Sequence, residues 1–155
     1  MIVNVMNEQE ALKIDPLQVE RLVQKVIEFE GQSCAEVNIY FVDTPTICDL
    51  HAQFFNDPTP TDCISFPMDE ENERPEERLM GEVFVCPATA IEYAIRHKKN
   101  VYTETSLYII HGLLHLMGYD DIEEEEIVVM RKAEERHITL LQSLNLLIQP
   151  INNDE

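Results

Sequence analysis

Two histidines and one aspartate near the middle of the chain have the spacing of metal ligands. They lie in residues 111–121, HGLLHLMGYDD, where His111 and His115 stand four positions apart in an apolar stretch. A helix turns by about 100° per residue, so the two imidazoles share one face, one turn apart. Either histidine alone is better explained as a hydrogen-bonded residue of the core. The pair predicts a metal site, because one cation satisfies the lone pairs of two buried imidazoles at once.

The residues after the second histidine supply a third ligand. Gly118 is expected to end the helix in a left-handed conformation and to return the chain toward the face it has just left. Counted from His111, His115 is at +4, Gly118 at +7 and Asp121 at +10, the spacing of the zinc helix HExxHxxGxxH. Three protein ligands with a fourth position open to water are typical of catalytic zinc. We therefore predict one Zn²⁺ held by His111, His115 and Asp121, with its bound water as nucleophile.

The residue after the first histidine limits the chemistry. Gly112 stands where a metalloprotease of this pattern has its glutamate general base. Peptide hydrolysis is therefore disfavoured. No other residue is indicated as a general base, so the metal-bound water is the one catalytic group predicted.

The elements that must position these ligands follow from apolar periodicity. Strands are predicted at 2–6, 37–42, 63–66 and 79–86, and helices at 16–29, 46–55, 87–98, 103–117 and 122–147. Thr103 or Thr105 is the expected N-cap of the metal-binding helix. Strands with helices between them, followed by helices alone, indicate an α+β fold with a small mixed sheet of about four strands around that helix.

Length and composition favour one domain over residues 1–150, with 151–155 as a frayed tail. No segment reaches the roughly 20 apolar residues of a membrane span and the N-terminus lacks a signal pattern, so a cytoplasmic protein is expected. The cysteines, which have no CxxC spacing, are interpreted as reduced, buried thiols; they are Cys34, Cys48, Cys63 and Cys86. The net charge of −19 should repel bulk nucleic acid. Acidic residues 69–77 are predicted to form a mobile loop between two strands.

Three motifs resemble the YbeY-type rRNA maturation endoribonucleases. The family hallmark is HGxLHLxGYDH, and residues 111–121 agree with it at every fixed position except the last. Residues 60–67, PTDCISFP, are similar to the family's PTDVLSFP, and residues 79–83, LMGEV, to the start of its LGDI strand. The resemblance extends over about residues 35–135.

Membership would imply a single-domain α+β hydrolase with one zinc ion that cleaves single-stranded RNA near the 3′ end of 16S rRNA. It would further imply a role in ribosome maturation and ribosome quality control in the bacterial cytoplasm, with the ribosome as partner. Asp121 stands where the family usually has its third histidine, and Asp120 could bind instead if the turn is rotated. A carboxylate is an accepted zinc ligand, although it leaves less positive charge on the metal.

A second departure concerns RNA contact. Phe55 stands where the family usually has an arginine, which would suit a phosphate. Arg96, Lys98 and Lys99 are the remaining candidates. Two other functions stay open: a ribosome-associated binding protein that keeps zinc for structure, and a metallopeptidase, which Gly112 disfavours.

Overall fold

The computed structural model describes residues 1–68 and 74–151 of the chain and contains four strands and five α-helices in that part. In chain order they are β1 (Ile2–Glu8), α1 (Pro16–Phe29), β2 (Glu36–Val42), α2 (Thr44–Phe55), β3 (Cys63–Pro67), β4 (Leu79–Val85), α3 (Pro87–His97), α4 (Val101–Leu116) and α5 (Glu124–Ser143). A short 3₁₀ turn at Pro75–Glu77 precedes β4. The predicted elements are all present.

The four strands form one mixed sheet in the order β1-β2-β4-β3. The first three strands of that order are parallel, and β3 pairs antiparallel to β4 at the edge. Strand β2 shows why the sheet has two different faces: Val37, Ile39 and Phe41 alternate into the main core, while Tyr40 points to the opposite side. The predicted α+β class and mixed four-stranded sheet are confirmed.

Helix α4 lies at the centre of the main core, between the sheet and helices α1 and α5. It is buried on most sides, with Ile109, Ile110, Leu113 and Leu114 fully covered. Apolar residues all around a helix are typical of one packed within a domain. Two polar residues of α4, Thr105 and Ser106, are fully buried in this densely packed setting.

The N-terminus of α4 corrects the predicted cap. The Asn100 side chain accepts hydrogen bonds from the backbone N–H groups of Tyr102 (2.9 Å) and Thr103 (3.1 Å), so the helix begins two residues earlier than predicted. Thr105 instead lies inside the helix and donates to the Val101 carbonyl at 2.8 Å. Asparagine caps at least as well as threonine, and the apolar pattern already permits a start at Val101.

Helix α5 is shorter than its apolar pattern suggests. It begins at Glu124 with a capping box between Glu123 and Glu126, and it ends at Ser143 rather than 147. Asn145 has a positive φ of 57°, and Leu146 N–H bonds back to the Leu141 carbonyl at 2.8 Å, which is a Schellman ending.

The residues that follow α5 are apolar because they pack on the core as an extended segment. Leu147 and Ile148 are buried, and Ile148 N–H donates to the Ser106 hydroxyl at 3.1 Å. Of the predicted tail, residues 152–155 lie outside the described residues, as do residues 69–73 of the predicted acidic loop.

The four cysteines are free thiols, as expected. Cys34 and Cys86 are buried, whereas Cys48 and Cys63 are only half-buried, which corrects the prediction that all four are buried. No described helix has the length and hydropathy needed to cross a bilayer.

Candidate metal centre

Helix α4 brings the two histidines of the motif together. His111 and His115 lie one turn apart near its C-terminus, with ring centroids 4.6 Å apart and ring planes nearly perpendicular at 82°. Their Nε2 atoms are 3.0 Å apart. The side chains keep 18% and 24% of their surface exposed, so both histidines are partly open to solvent.

Gly118 ends α4 as its position in the motif predicts. It has a positive φ of 102°, and its N–H bonds to the His115 carbonyl at 3.1 Å. Tyr119 N–H bonds to the Leu114 carbonyl at 3.0 Å, which completes a Schellman ending. The chain thereby reverses direction directly after the second histidine.

The turn after Gly118 delivers Asp121 to the histidines. Its Oδ2 lies 3.4 Å from His111 Nε2 and 3.5 Å from His115 Nε2. Asp120 is exposed and lines a separate surface cavity with Met117 and Val129. Of the two neighbouring aspartates, the structure therefore brings Asp121 to the histidine pair.

The three facing atoms fit a zinc ion. Two ligand atoms bound 2.0–2.1 Å from a common tetrahedral centre lie roughly 3.3–3.4 Å apart. The triangle formed by His111 Nε2, His115 Nε2 and Asp121 Oδ2 has edges of 3.0, 3.4 and 3.5 Å. Imidazole nitrogen and carboxylate oxygen are both ligand types that zinc accepts. His111, His115 and Asp121 are thus a group that could hold a metal ion.

Glu134 of α5 sets the orientation of His111, and the sequence motif gave no indication of it. Its Oε2 is 2.6 Å from His111 Nδ1, and its side chain is only 6% exposed. A carboxylate can only accept, so His111 donates its Nδ1–H, and in the neutral ring this leaves the Nε2 lone pair for a metal ion. One signal was available: Glu134 stands among the buried residues of α5, four positions after Met130, where an apolar residue is expected.

Charge and burial act in opposite directions on this pair. Burial lowers the pKa of His111, but the hydrogen bond and charge of Glu134, with the charges of Asp62 and Asp121, raise it overall. Burial raises the pKa of Glu134, and the hydrogen bonds from His111 and Arg131 more than offset this, so that it is lowered. Glu134 is therefore a carboxylate at neutral pH, which suits an acceptor behind a ligand histidine.

A second, partly buried carboxylate anchors the turn that carries Asp121. The Tyr119 hydroxyl donates to Glu30 Oε1 at 2.7 Å, and His137 Nε2 lies 2.6 Å from Glu30 Oε2. Glu30 is the C-cap of α1, and His137 belongs to α5. The turn is thus joined to two helices only two residues before Asp121.

The close packing of α4 against the sheet explains Gly112. A Cβ on this residue would lie 2.5 Å from Val83 Cγ1 and 3.2 Å from Cys63 Sγ. The position that carries the general base in a metalloprotease therefore faces the sheet, with no room for a side chain. Burial, with the charges of Asp62, Asp121 and Glu134, raises the pKa of the Cys63 thiol well above its usual range, so this neighbour is a neutral packing group.

The cations proposed from the sequence for RNA contact are not brought to this centre. Lys98 and Lys99 precede α4, and a rise of about 1.5 Å per residue puts His111 roughly 15 Å along the helix from Val101. Arg96 forms an exposed ion pair with Glu92 at 2.9 Å. Phe55, where an arginine was expected, is exposed and contacts the ring of His51.

Most of the chain matches the model of one protein family. The family model described as Endoribonuclease YbeY covers residues 4–142, a longer span than the motifs alone indicated. The chain belongs to the YbeY endoribonuclease family. The predicted resemblance is thereby confirmed, and with it the prediction that the protein is a nuclease and so a hydrolase.

Individual YbeY relatives agree over nearly their full length. An endoribonuclease YbeY of Protochlamydia amoebophila is 56% identical over 149 residues, which is 96% of this chain and 99% of that protein. One from Chlamydia trachomatis serovar D is 33% identical and covers 94% of this chain and 91% of its own. The solution structure of a Thermotoga maritima protein is similar with a TM-score of 0.59, 25% identity and 99% coverage of both chains.

Proposed function

We propose that this protein is a zinc-dependent endoribonuclease that cleaves single-stranded RNA in 16S rRNA 3′-end maturation and ribosome quality control in the cytoplasm. Family membership supports the nuclease activity and an RNA substrate. The observation that carries the metal dependence is the triangle of His111 Nε2, His115 Nε2 and Asp121 Oδ2. We further propose that residues 1–150 act as one domain.

The residues of the centre have separate roles in this proposal. His111, His115 and Asp121 would hold one Zn²⁺, which when bound supplies a Lewis acid and lowers the pKa of water. Glu134 keeps the Nδ1 proton of His111, so that Nε2 remains free to bind. Replacement of a neutral ligand by Asp121 lowers the net charge of the occupied site by one, which weakens its pull on an anionic phosphate. The chain therefore needs positive charge elsewhere near the site.

Parallel cleavage assays with wild type and His115→Ala, each with and without chelator, test this proposal. A single-stranded RNA should be cut only by zinc-loaded wild type. Loss of activity on chelation and its return with zinc would support the proposal. Equal cleavage by the two proteins would overturn it, because His115 would then be irrelevant to the activity.

The alternative, a ribosome-binding protein with a structural zinc, predicts a different result. The exposed Phe55 and the charge of −19 favour it, since RNA affinity normally draws on lysine and arginine. It predicts zinc-loaded wild type without cleavage of single-stranded RNA and with ribosome binding that survives His115→Ala.

A further inference from the structure

The metal centre is lined by carboxylates, although its substrate is a polyanion. Asp121 is a proposed ligand, Glu134 contacts His111, and the charge of Asp62 also acts on His111. An RNA phosphate approaching this centre meets repulsion unless a cation offsets it. Such a cation must lie close to the metal centre.

Arg131 of α5 donates hydrogen bonds to Glu134, the residue that contacts His111. Its Nη1 donates to both carboxylate oxygens of Glu134, at 2.8 and 3.0 Å. Glu134 Oε2 in turn contacts His111 Nδ1 at 2.6 Å. One carboxylate therefore separates the guanidinium from a proposed zinc ligand. Within the described residues, Arg131 is the one arginine or lysine bonded to a partner of these histidines.

The rest of the Arg131 guanidinium makes no hydrogen bond to any other residue that the structure describes. A guanidinium has five N–H donors, and both bonds to Glu134 come from Nη1. The side chain is 60% exposed, whereas Glu134 is 6% exposed. Glu134 thus holds the guanidinium from its buried side. The N–H donors on Nη2 and Nε are left for a ligand from solvent. The hydrogen bond to Glu134 and the charges of Asp121 and Asp62 raise the pKa of Arg131 despite partial burial, so it faces the same carboxylates as the centre.

The neighbouring cations of α5 are placed differently. Lys132 lines a surface cavity with Leu140 and Ser143, whereas Arg131 lines one with Glu134. Arg136 contacts Glu30 and the Tyr119 hydroxyl instead of Glu134. Arg131 is consequently the cation of α5 whose position suits a phosphate at the metal centre.

We propose that Arg131 contacts a phosphate of the bound RNA strand beside the cleaved bond, while its Nη1 stays on Glu134. Arginine suits this role because its planar fork bonds two phosphate oxygens at once. This inference rests on the proposed function, since it requires an RNA substrate at the zinc centre. It places the missing phosphate contact on α5 rather than on α2, where Phe55 stands.

The first test measures steady-state RNA cleavage by the full-length, zinc-loaded wild type, Arg131→Gln and Arg131→Lys. Lys132→Gln is the control, because it removes one positive charge from the next residue. We expect Arg131→Gln to lower kcat/KM by about tenfold to a hundredfold, as for a lost bond to a charged group. Arg131→Lys should restore part of this, and Lys132→Gln should stay within about twofold of wild type, as for an exposed charge without a close partner.

Two further readouts separate substrate contact from structure. The slope of log affinity against log salt should become shallower by about 0.7 in Arg131→Gln, as expected for one lost contact to single-stranded RNA. Replacing single phosphates by neutral methylphosphonates should reveal one position that weakens wild type but costs Arg131→Gln nothing more. The zinc content of the variants should match that of wild type, and Arg131→Gln should remain folded at the assay temperature even though the buried Glu134 loses one ion-pair partner.

Three results would overturn the inference. The first is wild-type kcat/KM and salt slope in Arg131→Gln. The second is an equal loss in Lys132→Gln, which would indicate general charge. The third is a loss in Arg131→Gln that excess zinc repairs, because Arg131 would then act on the metal through Glu134. Absence of cleavage by zinc-loaded wild type would instead overturn the proposed function and this inference with it.

Discussion

At the scale of single residues, the candidate metal ligands follow from their spacing in the sequence. The carboxylate that orients one of them does not. His111, His115 and Asp121 belong to one helix and the turn after it. Helical periodicity and the turn at Gly118 therefore suffice to predict that their side chains lie close together. Glu134 is 23 positions from His111, on another helix, and only the packing of α5 on α4 brings them together. The choice between Asp120 and Asp121 also needed the turn geometry, since both lie on the same short loop.

The contact between Glu134 and His111 gives a prediction about metal affinity. In Glu134→Gln the carboxylate that accepts from His111 Nδ1 is replaced by a neutral amide, and Arg131 loses its ion-pair partner. We therefore expect zinc affinity to fall by about tenfold to a hundredfold. Competition with a chromophoric chelator measures this. Glu135→Gln, one residue along and exposed, is the control and should bind as wild type does. An unchanged affinity in Glu134→Gln would show that His111 needs no such partner.

At the scale of elements, helix existence was predictable and helix ends were less so. The apolar pattern predicted α4 and α5, and glycine marked the end of α4 at Gly118. The end of α5 was missed because Leu147 and Ile148 continue the apolar pattern while packing as an extended segment. Apolar spacing reports burial and only indirectly the backbone conformation, so it extends a helix whenever the next segment is also buried.

The contact of α4 with β4 gives a prediction about stability. Gly112→Ala places a methyl group 2.5 Å from Val83 Cγ1, so the helix must shift from the sheet. We expect unfolding to become easier by about 1–3 kcal/mol, as for an overpacked core, measured by urea denaturation.

Val83→Ala provides the control for that prediction. It removes Val83 Cγ1 and Cγ2, which the new methyl group would meet at 2.5 and 3.2 Å, and leaves only the Cys63 Sγ contact of those close approaches, so Gly112→Ala should cost less in its presence than alone. Equal costs in both backgrounds would mean that the close approach of α4 and β4 is not what requires glycine.

At the scale of the whole molecule, the hydrogen-bond network around Glu30 joins three helices to the ligand turn, which is the turn of residues 118–121 that carries Asp121. Glu30 caps α1, His137 lies on α5, and Tyr119 follows α4. These residues are far apart in the sequence, so no local pattern predicted their contact. Through the partly buried carboxylate of Glu30, helices α1 and α5 are thus connected to the loop that carries Asp121.

This network gives a prediction about pH. Burial acts to raise the pKa of Glu30, but the hydrogen bonds from Tyr119 and His137 and the charges of His137 and Arg136 lower it overall below its ordinary 4.5. A lowered folded pKa means that the carboxylate stabilises the fold above pH 4.5, and that this contribution disappears as pH falls from there through the folded pKa. Urea unfolding of wild type and Glu30→Gln should therefore differ most at neutral pH and converge in acid. A difference that grows on acidification would contradict this sign.

The most direct test of the central claim is the zinc content of wild type, Asp121→Ala and Asp120→Ala after dialysis. The geometry predicts about one zinc per chain in wild type and in Asp120→Ala, and much less in Asp121→Ala, because Asp121 Oδ2 is the third atom of the triangle. Zinc retained by Asp121→Ala and lost by Asp120→Ala would contradict the site. In that case the ligand turn would adopt a different rotation from the one in the structure.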